Sequence, residues 1–456
     1  MTQTRTRELL ELLHALDIER LPSSVVDAAQ NCVLDTLGCA LFGSPEPWSR
    51  IMAAEVLAEA PRGNSTIVGE RTTVAAPAAA LCNGTAAHGF ELDDHLDEAI
   101  VHPGAIIVSA VLAAAEAVNA TGAQALLGVV SGYEFANRLG LAMGVVPSQR
   151  GWHKTSVAGP VGAAVGVAKV MRLPVEQMQC AVGLACATAS GTKAFAAGEG
   201  GGMEKRMHAG RAAEAGVRMA QLAARGFTAP PGAIEGRFGL LDVMSANAAK
   251  PELLTEGLGA KWAVEHVYVK LYPCCAWIQA AAQQLVDLRG AHPLAPDAVK
   301  SIRVGVSAYA KAQNGNPLPQ DTMGAQFSIP YCVALALTGD PADPAAYDEA
   351  AIGDAARRRL AQRVEIFTDP EMESAYPRHY GARVELELSN GQRKVSAKLD
   401  PHGMPADPCS PQELTEKFSR LASRVKSEDA VGHIIEKARS AERLGSVGEL
   451  TALLRP

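Results

Sequence analysis

The chain has 456 residues, too many for one ordinary hydrophobic core, and its 48% hydrophobic and 20% charged content indicates a globular protein of two or three domains. A net charge of −7 excludes an extended basic surface for nucleic acid or an anionic membrane. The nine cysteines have neither CxxC nor Cys/His zinc spacing, which favours reduced thiols. We therefore expect a cytoplasmic protein whose partner is neither nucleic acid nor a membrane.

The apolar segments give the same expectation. Residues 1–20 alternate charge with leucine and lack the apolar region of a signal peptide. The apolar stretch 105–115 stops at Glu116 and is too short to span a bilayer.

Helical spacing of apolar residues dominates the first 260 residues. Leu9, Leu10, Leu13 and Leu16 begin the pattern. Alanine and glycine are abundant and aromatic residues make up only 5%, so we expect closely packed helices. The predicted helices are 6–20, 23–42, 76–87, 103–118, 121–143, 160–172, 174–189 and 206–225.

The pattern changes near Trp262. Residues 300–309 and 363–367 alternate like half-buried strands, and 382–398 reads as a hairpin around a Ser389-Asn390-Gly391 turn. Helices are predicted at 275–289 and 326–338. The predicted fold is mainly α with a smaller α/β lid domain. Its bounds are 1–263 for the helical domain, 264–409 for the lid, and 410–456 for C-terminal helices that pack back on the helical domain.

Three segments bring together residues suited to acid–base chemistry: 88–104, 151–160 and 193–211. We interpret Pro103 and Pro160 as first-turn prolines, which puts His102 and His153 at or near helix N-termini. Such ends bind carboxylates and disfavour imidazolium, so a histidine there stays neutral and can accept a proton. In the third segment, glycines 198, 200, 201 and 202 would let the backbone approach a ligand closely.

If these helix ends converge, they form an anion pocket that contains neutral histidines, a lysine and carboxylates. Lys205, His208 and Arg211 repeat at i, i+3 and i+6, roughly on one side of a helix. Removing a proton next to a carboxylate creates a doubly charged enediolate, which needs fixed cations, N–H groups and a positioned base. The pattern therefore indicates carbanion chemistry on a small polycarboxylate.

Simpler interpretations remain open for several of these residues. A single histidine at a helix start is more often structural, and Arg211 is better explained by a bond to a neighbouring loop. Asp94, Asp97 and Glu98 could form only a solvated acidic loop.

Other site chemistries are weaker alternatives. Asp93 and Asp94 with His95 and His102 could bind a metal, although no second cluster at ligand spacing supports this. The pair 274–275 could supply a thiol nucleophile, but buried thiols are the better interpretation. Because the glycines at 198–202 follow a helix rather than a strand, they do not indicate a dinucleotide fold. We expect neither metal nor cofactor.

Several ordered motifs resemble the MmgE/PrpD family over nearly the whole chain. They are HGFELDDHLDEAIVHPGA, GWHKTSVAGPVGAAVGVAK, MEKRMHAGRAAEAGV with GFTAPPGAIEG, VKLYPCC and QFSIPYCVALAL. The family includes 2-methylcitrate dehydratase, cis-aconitate decarboxylase and iminodisuccinate epimerase. The resemblance implies a homodimer with a helical domain formed from both chain ends, an α/β lid, and a site between the domains without metal or cofactor.

The resemblance also implies the site residues. The family's acidic, histidine and lysine positions fall on Glu91, Asp93, His102, His153, Lys205 and Lys270. We predict that the catalytic residues are His102, His153, Lys205 and Asp93. We predict that the substrate-binding residues are Glu91, His95, Arg206, His208, Lys270 and Cys275.

The lid half of the motif set departs from the family. Residues 274–280 contain no histidine, no tyrosine lies between Ala312 and Pro317, and Lys154 stands where a proline is usual. We therefore expect first a hydro-lyase that removes water from a hydroxylated polycarboxylate, like 2-methylcitrate dehydratase. An epimerase of a small dicarboxylate is second and a decarboxylase third. A non-catalytic carboxylate-binding protein is the alternative outside enzymes.

Overall fold

The structure is a computed structural model that describes residues 4–59, 62–196 and 202–456. Gly198, Gly200 and Gly201 of the predicted glycine-rich segment lie outside these residues. The helices before the lid are α1 Arg5–Ala15, α2 Ser23–Gly43, α3 Pro47–Ala58, α4 Ala76–Ala87, α5 Gly104–Ala117, α6 Gly122–Met143, α7 Val146–Gln149, α8 Lys154–Val170, α9 Val175–Cys186, α10 Glu204–Ala224 and α11 Leu240–Ser245. A short antiparallel pair, β1 Ser65–Thr66 and β2 Thr73–Val74, precedes α4.

The lid combines one sheet with short helices. Its helices are α12 Ala276–Arg289, α13 Ala308–Asn314, α14 Thr322–Gln326, α15 Ile329–Thr338, α16 Glu349–Ile352, α17 Ala355–Ala361 and α18 Pro370–Ala375. Its strands are β3 Val299–Val306, β4 Val364–Thr368, β5 Ala382–Leu388 and β6 Arg393–Lys398, in the order β4-β3-β5-β6. Strand β4 is parallel to β3, while β3-β5 and β5-β6 are antiparallel. The predicted fold class, mainly α with a smaller α/β domain, is confirmed.

The predicted hairpin forms because its turn residues allow it. Gly391 has φ +87° and donates its N–H to the Leu388 carbonyl, a left-handed conformation that glycine adopts without strain. Along β5 the alternate residues Ala382, Val384 and Leu386 are buried, as the predicted alternation requires, and Leu388 at the strand end is partly buried.

Small residues allow the central helices to pack closely. A Cβ placed on Gly132 of α6 would lie 3.0 Å from the Gly162 carbonyl oxygen of α8, and one on Gly162 would lie 2.8 Å from the Gly132 oxygen. The two backbones therefore approach at reciprocal glycines, and larger residues would force α6 and α8 apart. Helix α8 carries one of the three site segments, residues 151–160, at its start.

The prediction that Pro160 occupies the first turn of a helix is wrong. Helix α8 begins at Lys154, with His153 as its N-cap, and Pro160 lies inside it. A proline has no N–H to donate to the carbonyl four residues before it, which normally weakens a helix. Here the freed Ser156 carbonyl accepts a hydrogen bond from the Ser190 N–H at 3.4 Å. The bond to a neighbouring loop makes the proline tolerable, and local spacing could not reveal it.

The C-terminal helices α19 Pro411–Ala422, α20 Glu428–Arg439 and α21 Gly448–Thr451 return to the large domain. Phe418 of α19 packs against Gly38 of α2. Lys417, fully buried, donates to Asp35 Oδ1 at 2.6 Å and to the Leu92 carbonyl at 2.7 Å. The last part of the chain thus contacts the segment that carries the predicted acidic residues.

Helix α2 is long and apolar enough to cross a membrane by length and composition alone. In the fold, 78% of its most apolar window is buried inside the protein. It is a core helix of the large domain, longer than the apolar stretch 105–115 noted in the sequence.

Candidate active site

The acidic loop, residues 88–103, connects α4 to α5 and is held in place through its backbone. Glu91 has φ +57°, a conformation that non-glycine residues adopt only when their surroundings impose it. Four carbonyl oxygens of the loop accept hydrogen bonds from side chains, three from distant segments and one from His102 of the loop itself. They are Phe90 O from Gln326 Nε2 (3.0 Å), Glu91 O from Lys270 Nζ (3.1 Å), Leu92 O from Lys417 Nζ (2.7 Å) and Asp94 O from His102 Nδ1 (2.9 Å).

Glu91 is the centre of a buried charge cluster. Its Oε1 accepts from Lys205 Nζ and, at 3.0 Å, from Arg206 Nη1, while its Oε2 lies 3.6 Å from Lys270 Nζ. Burial by itself would raise the pKa of Glu91, but the three cations lower it below the usual range of a glutamate. Burial also lowers the pKa of the Lys205 ammonium, although Glu91 opposes that effect. One carboxylate and three cations leave the cluster with an excess of positive charge.

Asp93 connects this cluster to two histidines. Its Oδ2 lies 2.6 Å from His88 Nδ1 and 3.3 Å from His102 Nδ1, and its Oδ1 lies 3.6 Å from Lys270 Nζ. Burial opposes ionisation, yet the two histidines and Lys270 hold the pKa of Asp93 well below its usual value. Asp93 is therefore an ionised carboxylate that orients both imidazole rings.

The contacts of His102 show which of its two ring nitrogens can accept a proton. Because carbonyl and carboxylate oxygens can only accept, the bond to the Asp94 carbonyl and the approach to Asp93 require a proton on Nδ1. The lone pair then lies on Nε2, which has no hydrogen-bond partner among the residues that the structure describes. His102 lines the cavity and can act as a base through this nitrogen.

His153 faces the same cavity from the start of α8. Its Nδ1 lies 2.9 Å from His208 Nδ1 and 3.5 Å from the Ser156 hydroxyl, and its Nε2 has no hydrogen-bond partner within residues 4–59, 62–196 and 202–456. The His88 ring stacks on it with centroids 5.8 Å apart, and the ring centroids of His102 and His153 are 6.5 Å apart. Two histidines with one free nitrogen each thus approach one space from two helix starts.

Both histidines are neutral, as predicted, but for a different physical reason. Burial is the largest effect and lowers the pKa of both His102 and His153 well below the usual range. Neighbouring groups lower the pKa of His153 further, beginning with His88 and Lys205. The prediction attributed the neutral state to helix N-termini, whereas exclusion of water by the packed domains is the main cause.

The cavity lies between the large domain and the lid. Its large-domain wall is formed by Glu91, His95, Ile100, His102, Ser148, His153, Lys154, Thr155, Lys193, Phe195 and Lys205. Its lid wall is formed by Cys275, Ala276, Trp277, Gln313 and Phe327. A small anion bound here would touch cations on one side and aromatic surface on the other.

Lys193 and Tyr309 meet across the gap between the domains. Lys193 Nζ donates to the Tyr309 hydroxyl and lies 5.0 Å from that ring and 6.0 Å from the Trp277 ring. Burial lowers the pKa of Lys193 to about 8. The sequence offered no tyrosine between Ala312 and Pro317, but Tyr309, three residues before that window, brings a hydroxyl to the site.

The other predicted substrate-binding residues lie at different depths. His95 and Cys275 line the cavity, whereas Arg206, His208 and Lys270 lie behind its wall. Arg206 pairs with Glu91 and donates to Gln326 Oε1 at 2.8 Å. His95 Nδ1 donates to Asp97 Oδ1 at 2.7 Å.

The remaining alternatives from the sequence also have definite positions. Arg211 pairs with Glu214 of its own helix, with its side chain 60% exposed, so a bond to a neighbouring loop is not its role. Of the three acidic residues suggested to form a solvated loop, Asp94 and Asp97 are buried and Glu98 is exposed. Burial raises the pKa of the Cys275 thiol, which disfavours a thiolate nucleophile. Lys154 is also buried and donates to the carbonyls of Gly140 and Gly144.

The structure brings three possible metal ligands together, but they are not the set that the sequence suggested. Ligand atoms of His88, Asp93 and His102 lie within 4.8 Å of one another. However, Lys270 Nζ is 3.6 Å from Asp93 Oδ1, and its charge repels a cation at this point. The cluster is better explained as a hydrogen-bonded Asp–His arrangement.

Sequence reasoning did not include His88, Lys193, Tyr309 or Gln326 in the site. His88 and Lys193 begin two of the three segments, so their positions carried a signal that was not used. Tyr309 and Gln326 belong to short lid helices, and no spacing in the sequence indicates that they face the large domain.

Comparison with known proteins identifies the family. Residues 7–252 match the MmgE/PrpD N-terminal domain and residues 272–442 match the MmgE/PrpD C-terminal domain. The chain therefore belongs to the MmgE/PrpD family, as its motifs indicated.

Several relatives of the chain are named as cis-aconitate decarboxylases or as a protein like them. A cis-aconitate decarboxylase of Aspergillus terreus is 27% identical over 98% of this chain and 95% of that protein. A cis-aconitate decarboxylase-like protein of Aspergillus oryzae is 29% identical over 98% of this chain and 97% of its own length. The human cis-aconitate decarboxylase is 25% identical over 100% of this chain and 95% of its own length.

Proposed function

We propose that this protein is a cofactor-independent lyase that decarboxylates a small unsaturated tricarboxylate, with cis-aconitate as the first substrate to test. The observation that carries the proposal is the convergence of Lys205, Lys193 and two neutral histidines on one cavity whose lining side chains are mostly buried. Such a site binds carboxylates and stabilises negative charge that develops on carbon. The motifs alone favoured dehydration, but the names of the relatives support decarboxylation instead.

The proposed reaction uses the two kinds of group separately. The carboxylates of the substrate bind Lys205 on the large domain and Lys193 beside the lid. As the C–C bond to the departing carboxylate breaks, its electron pair remains on the substrate and CO2 leaves. The nearby cations stabilise this carbanion, and a histidine that has become protonated delivers a proton to the carbon. Tyr309, whose hydroxyl contacts Lys193, orients that ammonium.

Dehydration of a hydroxylated polycarboxylate, as in a 2-methylcitrate dehydratase, is the second candidate. It is favoured by one observation: two neutral histidines approach the cavity from different helices, so one can remove a proton while the other, once protonated, protonates the leaving hydroxyl. Epimerisation would use the same pair without loss of a group. The expected homodimer and cytoplasmic location remain predictions.

The test is incubation with a panel of polycarboxylates in deuterated water, followed by NMR and CO2 detection. Decarboxylation releases CO2 and introduces one deuterium at the protonated carbon. Dehydration gives a new alkene signal without CO2, and epimerisation gives deuterium uptake without either. No turnover of any polycarboxylate, with binding retained, would favour a carboxylate-binding protein instead.

A further inference from the structure

The pair of histidines at the start of α8 separates two cavities. His153 lines the substrate cavity under the lid, whereas His208 of α10 lines a second and larger space between α8, α10 and the loop 188–191. The second space is also lined by Arg211 and Arg218, whose side chains are 60% and 55% exposed. It therefore reaches solvent, while the substrate cavity lies between the domains.

The two rings are in direct contact through equivalent atoms. His153 Nδ1 and His208 Nδ1 are 2.9 Å apart, so one nitrogen carries a proton and the other accepts it. His153 Nε2 is then left for the substrate, and His208 Nε2 is left for the second cavity. The Ser156 hydroxyl also approaches His153 Nδ1, but at 3.5 Å. A serine hydroxyl keeps its proton at neutral pH and does not titrate there, so it is not a net source of protons.

Decarboxylation requires such a connection because it consumes one proton in each turnover. The carbon that loses CO2 gains a hydrogen, and the histidine that supplies it must recover a proton from water. The second cavity offers His208 a route to water that does not pass through the space occupied by the substrate. This argument rests on the proposed function, since dehydration and epimerisation return the proton that they remove and need no net supply.

We propose that His208 is a proton shuttle that carries protons from solvent to His153. A proton binds His208 Nε2 from water in the second cavity, and His208 Nδ1–H donates its proton to His153 Nδ1. His153, now an imidazolium, gives its Nε2 proton to the carbanion left by CO2. His208 and His153 end with exchanged tautomers, and rotation or back-exchange through water restores them before the next cycle.

The energetics of the pair are compatible with transfer. Burial is the main cause that lowers the pKa of His208 to about 4, with His88 and Lys205 contributing. The pKa of His153 is lowered as well, also mainly by burial. Because both imidazoles hold the extra proton weakly, neither traps it.

The test measures kcat for decarboxylation at low buffer concentration and with added imidazole, at constant ionic strength. His208→Ala removes the shuttle and leaves space for imidazole, so we expect kcat to fall by roughly tenfold or more and to be largely restored by imidazole. His208→Asn keeps a polar atom near His153 Nδ1 but cannot carry a proton, so its kcat should fall to a similar extent with KM little changed. His433→Ala, on the exposed surface of α20, is the matched control and should behave as wild type.

Two results would overturn the shuttle. Wild-type kcat in His208→Asn at low buffer would mean that His208 only positions His153 by a hydrogen bond. The same conclusion would follow if His208→Ala had normal thermal stability and a lowered kcat that imidazole did not restore. Absence of CO2 release by the wild-type enzyme would instead contradict the proposed function.

Discussion

At the scale of single residues, the acid–base assignment depends on which nitrogen of each ring is free. His102 donates through Nδ1 to the Asp94 carbonyl, and His153 uses Nδ1 in its contact with His208. In both residues Nε2 is the nitrogen left for the substrate. For His102 the carbonyl contact also defines the tautomer, whereas the proton between His153 and His208 can lie on either ring.

We expect His102→Ala and His153→Ala each to lower kcat by roughly 10²-fold or more, the scale of a lost acid–base group. Steady-state kinetics on the substrate identified by the panel would measure this. Both side chains are buried, so thermal melting must accompany the kinetics. Normal turnover in both folded variants would mean that the histidines have only structural roles.

Lys205 and Lys270 differ in what they touch. Lys205 lines the cavity, whereas Lys270 is fully buried behind it against Glu91 and Asp93. Lys270 is therefore not a direct contact of the cavity. Its ammonium lies 3.6 Å from a carboxylate oxygen of Glu91 and 3.6 Å from one of Asp93, two of the acidic residues of the loop.

We expect Lys205→Met to lower kcat, because it removes charge next to the developing carbanion. Lys270→Met should mainly lower the free energy of unfolding, by about 3–5 kcal/mol, since it leaves buried carboxylates with fewer partners. Chemical denaturation and kinetics would separate the two effects. Lys300→Met is the control, because Lys300 forms a surface pair with Glu387 and its loss should cost under about 1 kcal/mol. A stable Lys270→Met variant with raised KM would restore the predicted substrate contact.

Asp94 gives a pH-dependent prediction. Burial, with Asp35 adding to it, raises the pKa of Asp94 to about 7, above about 3.9 for an unfolded aspartate. Because the pKa of Asp94 is higher in the folded protein, protonation of Asp94 favours the folded state. Its contribution to the free energy of unfolding is complete below about pH 4 and is lost as the pH rises through 7. Relative to Asp94→Asn, the wild type should therefore lose up to about 1.4 kcal/mol per pH unit across this window. If the free energies of unfolding of the wild type and of Asp94→Asn changed in parallel with pH, this prediction would be contradicted.

At the scale of secondary-structure elements, helix α14 connects the lid to the charge cluster. Gln326 at its end donates to the Phe90 carbonyl at 3.0 Å and accepts from Arg206 at 2.8 Å. Its own carbonyl accepts from the Cys275 N–H at 2.9 Å. One lid residue thus contacts the acidic loop, the third segment and the start of α12.

We expect Gln326→Met to raise KM by about ten- to a hundredfold, because it leaves Arg206 and the Phe90 carbonyl without their lid partner. Activity assays and thermal melting would measure the effect. Gln320→Met is the matched control, since Gln320 is exposed on the same lid. Equal KM values in the two variants would show that α14 does not couple the lid to the site.

At the scale of the whole molecule, the site is built from both ends of the chain and the lid. Lys417 of α19 reaches the Leu92 carbonyl, and residues 268 and 95 form a backbone bridge between the domains. Such long-range contacts surround the acidic loop with dry protein. The resulting excess of cations beside ionised carboxylates makes the pocket suited to anions rather than metal ions.

We expect activity to survive exhaustive chelation. The cluster of His88, Asp93 and His102 has Lys270 beside it, and an ammonium at this distance disfavours a bound cation. The measurement is turnover before and after dialysis against a strong chelator. Loss of turnover that a single divalent ion restores would reverse the prediction and assign this cluster to a metal.

The sequence by itself determined the family, the fold class and the three segments that meet at the site. The spacing of apolar residues and the positions of glycines depend on which face of a helix or strand is buried. Both can be read from a short stretch of sequence. Hence the hairpin at 382–398 and most helices of the large domain were predictable. The first turn of α8 was not, because the partner that compensates Pro160 comes from another loop.

Only the tertiary structure decided what each site residue does. It put His208 in a second cavity, Lys270 behind the wall, and Tyr309 against Lys193 across the domain gap. The contact between Lys193 and Tyr309 joins residues 116 positions apart, and its formation depends on how the lid packs. The pKa values likewise follow from burial, a property of the assembled domains that no local pattern contains.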